Sequence, residues 1–288
     1  MLFLVRFGEI HLKSNYVRRQ FQKMLVANIQ DHFAARHIEC LTTSERGRIY
    51  VETDDDEAGR SILRRVFGVV SFSEAVECPA DIDVICRVMV IYSHHLVKKA
   101  ASFAIRSRRS GTHKFTSRDV AVAAGKAIQD AHPSLKVDLG RPDIELFVEV
   151  RQNRAFIFHE VIEGPGGLPL GSQGRMLALV DGDRGMVAAW MMMKRGCKVT
   201  AVATDRLDWI EPLRNWDLHL KFQMIGGMDE LKEISKLNRS DVLAVGWTLE
   251  EVESKRSEVP EGITLFHPTV GLTDENLADL VRRIENLA

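Results

Sequence analysis

The chain has 288 residues, of which 45% are hydrophobic and 27% charged, with a net charge of −1, the composition of an ordinary soluble globular protein of two or three domains. It contains no apolar run of about 18 residues and no signal-peptide pattern, since Arg6 and Glu9 interrupt the first apolar stretch, which argues against a membrane partner. Four cysteines (Cys40, Cys78, Cys86, Cys197) are scattered without a C-x-x-C pair, which argues against a zinc ribbon or disulfide framework and fits a reducing cytoplasm.

In residues 1–78, Leu2 to Phe7 reads as a short apolar strand. Ser14 caps a helix on which Val17, Phe21, Met24, Leu25, Ile29 and Phe33 recur at helical spacing. Ile38 to Thr42 and Arg48 to Glu52 read as strands about a polar turn at Gly47. Asp54 to Glu57 open a second helix, because carboxylates favour a helix N-terminus. Ile62, Leu63, Val66 and Phe67 form its apolar stripe, Gly68 stops it, and Val69 to Val76 is the last strand. The order β-α-β-β-α-β is a ferredoxin-like unit. Lys13, Arg18, Arg19 and Lys23 place positive charge on the outer face of the first helix, either an ordinary solvated face or an outlying contact for RNA phosphate.

In residues 79–169, a helix from Ile82 to Lys99 turns Ile85, Val88, Met89, Tyr92 and Leu96 inward. Ser102 to Arg109 is a strand, and Ser117 caps a second helix that runs to Ala131. Ile144, Leu146, Val148 and Val150 alternate along another strand, and Gln152-Asn153 turns it into Ala155 to Ile162. Between Lys98 and Lys126, eight Lys/Arg stand against one acid, Asp119. Lys98, Lys99, Arg106, Arg108, Arg109, His113, Lys114 and Arg118 are therefore the candidate contacts for a polyanion. Net charge is −1 over residues 1–97, +7 over 98–204 and −7 over 205–288, which places one polyanion-binding region centrally. His94, His95 and His159 read as structural, with no metal-ligand company in the sequence; no metal site is expected.

A Gly/Pro-rich stretch, Gly164 to Pro169, leads into residues 170–288. Met176 to Val180 reads as a strand buried on both faces. The tight turn Asp181-Gly182-Asp183 follows, then a helix from Arg184 to Lys194, then an apolar strand from Val199 to Ala203. Strand, turn, helix, strand is the opening βαβ unit of a parallel sheet, and the turn after its first strand is where phosphates bind. Leu179, Val180, Asp181, Gly182, Asp183, Arg184 and Gly185 are thus the candidate nucleotide site. Trp209 to Trp216 and Asp229 to Leu237 read as helices, and Lys221 to Ile225 and Val242 to Trp247 as strands. Ile263 to Val270 is a strand or loop, and Thr273 starts a closing helix with Leu277, Leu280, Val281 and Ile284 inward.

Two motifs carry a family resemblance. Phe7-Gly8-Glu9-Ile10-His11-Leu12-Lys13-Ser14 is similar to a GEI-x-x-K-S element, and Gly166-Gly167-Leu168-Pro169-Leu170-Gly171-Ser172-Gln173 to a GG-P-G-[ST]-[QE] segment. Both resemble the tRNA 4-thiouridine synthetase (tRNA sulfurtransferase) family, as does the helix end Met193 to Val199. The resemblance implies a THUMP module that holds the tRNA acceptor end, and a PP-loop of the form Ser-Gly-Gly-x-Asp-Ser that holds ATP by its pyrophosphate. Here that loop is one residue short. Asp181 stands at the first serine, Arg184 at the motif aspartate and Gly185 at the last serine, and only Gly182 is kept. Two carboxylates would face phosphate charge unless a cation intervenes. Cys197, at the match to the family's Arg-Gly-Cys, reads as packed rather than as the activated thiolate that persulfide chemistry needs.

The expected fold is an α+β front half, a ferredoxin-like unit plus a THUMP-like module, joined to an α/β Rossmann-like domain derived from a PP-loop ATPase. The expected function is tRNA binding in tRNA thiolation, with ATP-pyrophosphatase activity and the sulfur-carrying cysteines lost, no cofactor, and a separate catalytic or sulfur-donor protein as partner. One alternative is an active ATP-dependent sulfurtransferase that uses ATP and Mg through a non-standard loop and adenylates a tRNA uridine. Another is an anion-binding regulatory protein centred on Gly182 and Arg184. A second copy of the chain is a further candidate partner.

Overall fold

The computed structural model describes residues 1–8, 14–45 and 47–285. β1 (Leu2–Phe7) leads to α1 (Asn15–Ala34), whose N-cap Ser14 accepts a hydrogen bond from the Val17 N–H. Phe21, Leu25, Ile29 and Phe33, four residues apart, are its buried stripe. β2 (Leu41–Glu45) begins three residues later than the sequence pattern predicts. The reason is the closure of α1: His37 takes a left-handed conformation (φ 57°), and the Ile38 N–H bonds back to the Phe33 carbonyl at 3.1 Å, so Ile38 belongs to a helix-terminating turn.

β3 (Arg48–Glu52) is followed by α2 (Asp56–Leu63), capped by Asp55, and by β4 (Val69–Pro79). α2 ends at Leu63, five residues before Gly68, because the next turn tightens and Arg65 N–H bonds Ile62. Val66 and Phe67 are buried all the same.

α3 (Ile82–Ser93), capped by Asp81, also stops short of the predicted Lys99; Val97–Lys99 is a separate 3-10 turn. The Ser93 hydroxyl turns back onto the Val90 carbonyl and competes with the helical bonds. β5 (Ser102–Ser110) leads to α4 (Ser117–Ala131), whose cap is Thr116 rather than Ser117. Only Thr116 has an acid three residues on, and the two side chains bond each other's backbone N–H in a capping box. β6 (Lys136–Val137), β7 (Ile144–Arg151), β8 (Arg154–Phe158) and β9 (Ile162–Glu163) follow, so the strand expected over Ala155 to Ile162 breaks after Phe158, the last residue paired with β7.

The last domain runs β10 (Arg175–Leu179), α5 (Asp183–Lys194), β11 (Lys198–Ala203), α6 (Glu211–Arg214), β12 (Lys221–Met224), α7 (Leu231–Asn238) and β13 (Val242–Ala244). It continues with α8 (Leu249–Lys255), β14 (Thr264–Phe266) and α9 (Asp274–Glu285). α8 escaped the sequence reading because its apolar stripe is weak, although the Thr248–Glu251 capping box marks its start. None of the described helices is long and apolar enough to cross a membrane.

Among the described residues the first sheet runs β2-β3-β1-β4-β8-β7-β5-β6, with β9 beside β4, and the second runs β12-β11-β10-β13-β14. Among the described residues each neighbouring pair of strands in the second sheet is parallel. Its centre, β10, is apolar on both faces, with Met176 and Ala178 on one side and Leu177 and Leu179 on the other. The expected α+β front half and α/β back half are both present.

Compactness divides the chain into two units. The first comprises Met1–Val5, Tyr50–Thr53 and Phe72–Ile162. Ile85, Met89, Phe103, Val120 and Leu146 fill its main core, and Tyr50 stacks on Phe156 (5.0 Å) in a smaller one. The second comprises Arg6–Ile49, Asp54–Ser71 and Glu163–Ala288. Its core holds a three-ring cluster in which Phe67 stacks on Trp216 (5.2 Å) and meets Trp190 edge-on (5.6 Å).

Candidate nucleic-acid interface and nucleotide site

The strand order of the second sheet reverses direction between β10 and β13, and the crevice outside their carboxyl ends is where such sheets take ligands. All seven sequence-predicted residues fall there. Leu179 ends β10, and Val180 extends the ladder by one bond to Val202 (2.8 Å). Asp181 and Gly182 form the turn, and Asp183, Arg184 and Gly185 are the first turn of α5. Gly182, at φ 153°, caps the helix without a side chain, which leaves the first-turn amides as the candidate phosphate donors.

The chain after β13 packs closely on one side of this turn, while the turn at Gly182 stays open. A Cβ built on Gly246, just after β13, would lie 2.3 Å from both the Arg184 carbonyl carbon and the Gly185 nitrogen. Gly185 is equally hemmed in: a Cβ there would be 2.6 Å from the Leu179 oxygen and 2.8 Å from Asp181 Oδ1, so the serine that the family loop carries does not fit this backbone.

The charges are also turned away from a phosphate. The Arg184 guanidinium donates to the Thr269 carbonyl (3.3 Å) and, more distantly, to Leu272 (3.5 Å), and lies 3.9 Å from the exposed Asp274 carboxylate. Asp181 keeps an exposed edge, yet loss of hydration raises its carboxyl above the ordinary aspartate range; Lys255 opposes this and Glu251 adds to it. Trp247, 3% exposed, packs in the core below with Lys255 5.6 Å over its ring. Sequence reasoning missed Gly246, Trp247 and Lys255. The Gly-Trp-Thr that ends the apolar run from Val242 was the available signal for a turn there.

Burial pushes all four thiols up, Cys78 to about 11, and at Cys197 Arg195 only partly opposes it. A thiol with a raised pKa is protonated and unreactive near neutral pH.

In the basic region the structure separates what the sequence runs together. Lys98 and Lys99 sit in the turn before β5, whereas Arg108, Arg109, His113, Lys114 and Arg118 gather at its other end. Nine strand residues hold the two ends about 25 Å apart. Arg106, between them, is spent: its guanidinium holds Glu145 (2.7 and 2.8 Å) and the Leu139 carbonyl (2.9 Å). Arg109 donates to the Gly111 carbonyl (2.6 Å) and meets His113, whose other ring nitrogen bonds Gln152. Arg108, Lys114 and Arg118 are exposed beside the first turn of α4. Arg18 is half-buried at the start of α1, and Lys13 lies outside the described residues, as does most of the GEI-x-x-K-S element.

Of the histidines, His159 Nδ1 bonds the Tyr92 hydroxyl (2.6 Å). His94 lies against His95 and against His132, a neighbour that the sequence did not reveal. Among the described residues no three His, Cys, Asp or Glu are placed to hold a metal ion.

Comparison with known proteins agrees with this architecture. Residues 2–73 match the ThiI ferredoxin-like domain and residues 81–160 the THUMP domain. A probable tRNA sulfurtransferase of Methanosarcina acetivorans is 34% identical, over 98% of this chain and 80% of the relative. One from Saccharolobus solfataricus is 30% identical over 99% and 86%. Among solved structures, PH1313 from Pyrococcus horikoshii Ot3 superposes with a TM-score of 0.85 at 26% identity, over 98% of this chain and 99% of that one. A 4-thiouridine synthetase–RNA complex with bound ATP superposes at 0.79 and 20% identity, over 98% and 84%, a likeness of fold.

Proposed function

The chain belongs to the ThiI-type tRNA sulfurtransferase family, and from that premise we propose that it is a cytoplasmic tRNA-binding protein which serves tRNA thiolation without ATP-pyrophosphatase activity of its own. It would act as a binding or partner subunit to a separate catalytic or sulfur-donor protein. Membership in a family of tRNA sulfurtransferases and the THUMP match support the tRNA half of the reading. Arg108, Lys114 and Arg118, exposed at one end of β5, supply the sequence-independent phosphate contacts that such binding needs.

The proposed absence of an ATP step is supported by the close packing of the Gly246 backbone on the Arg184–Gly185 peptide in the first turn of α5. Asp181 adds a carboxylate to the same turn, and Arg184 is committed to Thr269 and Leu272. These features support the reading that ATP and Mg are not cofactors of this chain. The four raised thiols support the same reading on the sulfur side.

The test is a calorimetric ATP–Mg titration of the whole chain, with and without bound tRNA, beside an assay of pyrophosphate release. tRNA binding without ATP heat or pyrophosphate is the expected result. Tight ATP binding with tRNA-dependent pyrophosphate release would replace this reading with that of an active sulfurtransferase. ATP-independent anion binding with no tRNA affinity would favour a regulatory role.

A further inference from the structure

Three imidazoles from two helices meet at the end of β5 opposite Arg108 and Lys114. His94 caps the C-terminus of α3, His95 follows it, and His132 caps the C-terminus of α4. The ring centroids of His95 and His132 lie 5.3 and 5.6 Å from that of His94. His94 and His95 are exposed, and His132 Nε2 is buried with no hydrogen-bond partner among the described residues. Lys98 and Lys99 stand exposed in the turn that follows.

The charges acting on His94 come from each neighbouring element: Lys98 from the turn, His95 from the end of α3 and His132 from the end of α4. None is a carboxylate, and Lys98 first, then loss of hydration and the other two imidazoles, hold the His94 ring below the ordinary histidine pKa. The cluster thus gathers cationic and protonatable groups at this end of β5, where the Asp143 carboxylate is taken up by the Ala101 and Ser102 N–H groups (2.9 Å each). His94 and His132 are the C-cap residues of α3 and α4, and the carbonyl end of a helix favours a bound proton. A phosphate would relieve the repulsion, and a protonated imidazole offers it two N–H donors.

We propose that His94, His95, His132, Lys98 and Lys99 form a second RNA phosphate-contact site, about 25 Å along β5 from the Arg108/Lys114/Arg118 cluster, and that binding there takes up protons. The inference rests on the RNA-binding reading above and deepens it. At one phosphate per roughly 3.4 Å along one strand, the gap between the two clusters corresponds to about seven phosphates of that strand. Arg106 in the middle is already neutralised by Glu145, so the contacts are confined to the two ends.

The sign of the pH effect follows from linkage. Bound phosphate raises the imidazole pKa above its free-state value. The affinity gain is therefore complete below the free-state pKa and is lost as pH rises through the bound-state pKa. Each unit of rise in one imidazole is worth about tenfold in affinity.

The experiment measures binding of an unmodified tRNA transcript to the full chain between pH 5.5 and 8 at fixed ionic strength. Wild type should gain about tenfold or more on acidification. The H94Q/H95Q/H132Q variant should lose more than half of that gain. R108A/K114A/R118A should bind more weakly throughout and keep the gain. If the triple histidine variant misfolds by circular dichroism, H94Q/H95Q, which alters only the exposed pair, takes its place. A wild type that binds with no pH dependence, or a histidine variant that gains as wild type does, overturns the inference while leaving tRNA binding intact. No tRNA binding by wild type at any pH overturns the functional reading itself.

Discussion

Gly246→Ala tests whether the first turn of α5 is covered in solution. The added Cβ would sit 2.3 Å from the Arg184 carbonyl carbon and the Gly185 nitrogen, and 2.6 Å from the Arg184 oxygen. Ordinary contact begins near 3.4 Å, so backbone on one side must retreat by about 1.1 Å. Neither side is a flexible side-chain tip, since both are main chain between a strand end and a helix start. Overpacking of this kind costs about 1–3 kcal/mol, which in a domain of this size lowers Tm by about 2–12 °C. Gly271→Ala is the matched control, because a Cβ there meets nothing within 4 Å and its backbone lies outside the left-handed region. It should be neutral or slightly stabilising. Thermal unfolding by calorimetry, with both variants side by side, reads the difference. A Gly246→Ala protein that melts within about 1 °C of wild type would mean that the chain after β13 does not lie on α5. The packing that supports the absence of an ATP step would then go.

Three further outcomes are expected. Burial first, then Arg36, pushes His32 down to about 4, with Asp217 opposing, so unfolding takes up a proton between pH 6.5 and 4. Stability is complete above 6.5 and falls by about 3 kcal/mol through that window; His32→Gln should flatten this limb of a urea-midpoint profile against pH, and an unchanged limb would refute a neutral buried His32. Arg106→Ala, which removes a guanidinium already held by Glu145, should leave tRNA affinity within about twofold, whereas R108A/K114A/R118A should cut the salt slope by about 2 in a titration series, at somewhat under one unit per lost phosphate contact; equal effects would refute the division of the basic run. Phe67→Ala empties the slot between Trp190 and Trp216 and should cost about 3–5 kcal/mol in denaturant unfolding, while Phe67→Leu costs clearly less; equal losses would deny the stacking a role.

Much of this was legible in the chain itself. The apolar alternation of β7, the four-residue stripe of α1 and the two-faced apolar run of β10 are local patterns, and burial follows them directly. So are the carboxylate start of α2 and the altered turn at Asp181 to Gly185. Where local rules compete, the reading slipped by a few residues. Thr116 displaced Ser117 as a cap because of Asp119, and the left-handed His37 delayed β2.

Distance along the chain is a poor guide to distance in space, and there the tertiary structure decided. A strand is extended, so β5 carried Lys98 and Arg108 to opposite ends of one sheet although only nine residues separate them. Helices return, so α4 brought His132 back to His94 across 37 intervening residues. Pairing by contact consumed Arg106 and Arg184, which in the sequence are free cations like any other. The parallel sheet set β13 beside β10, and only that neighbourhood laid Gly246 over the helix whose N-terminus the sequence left open. Sequence determined which groups this protein owns and which local shapes they favour; packing determined which of them face one another.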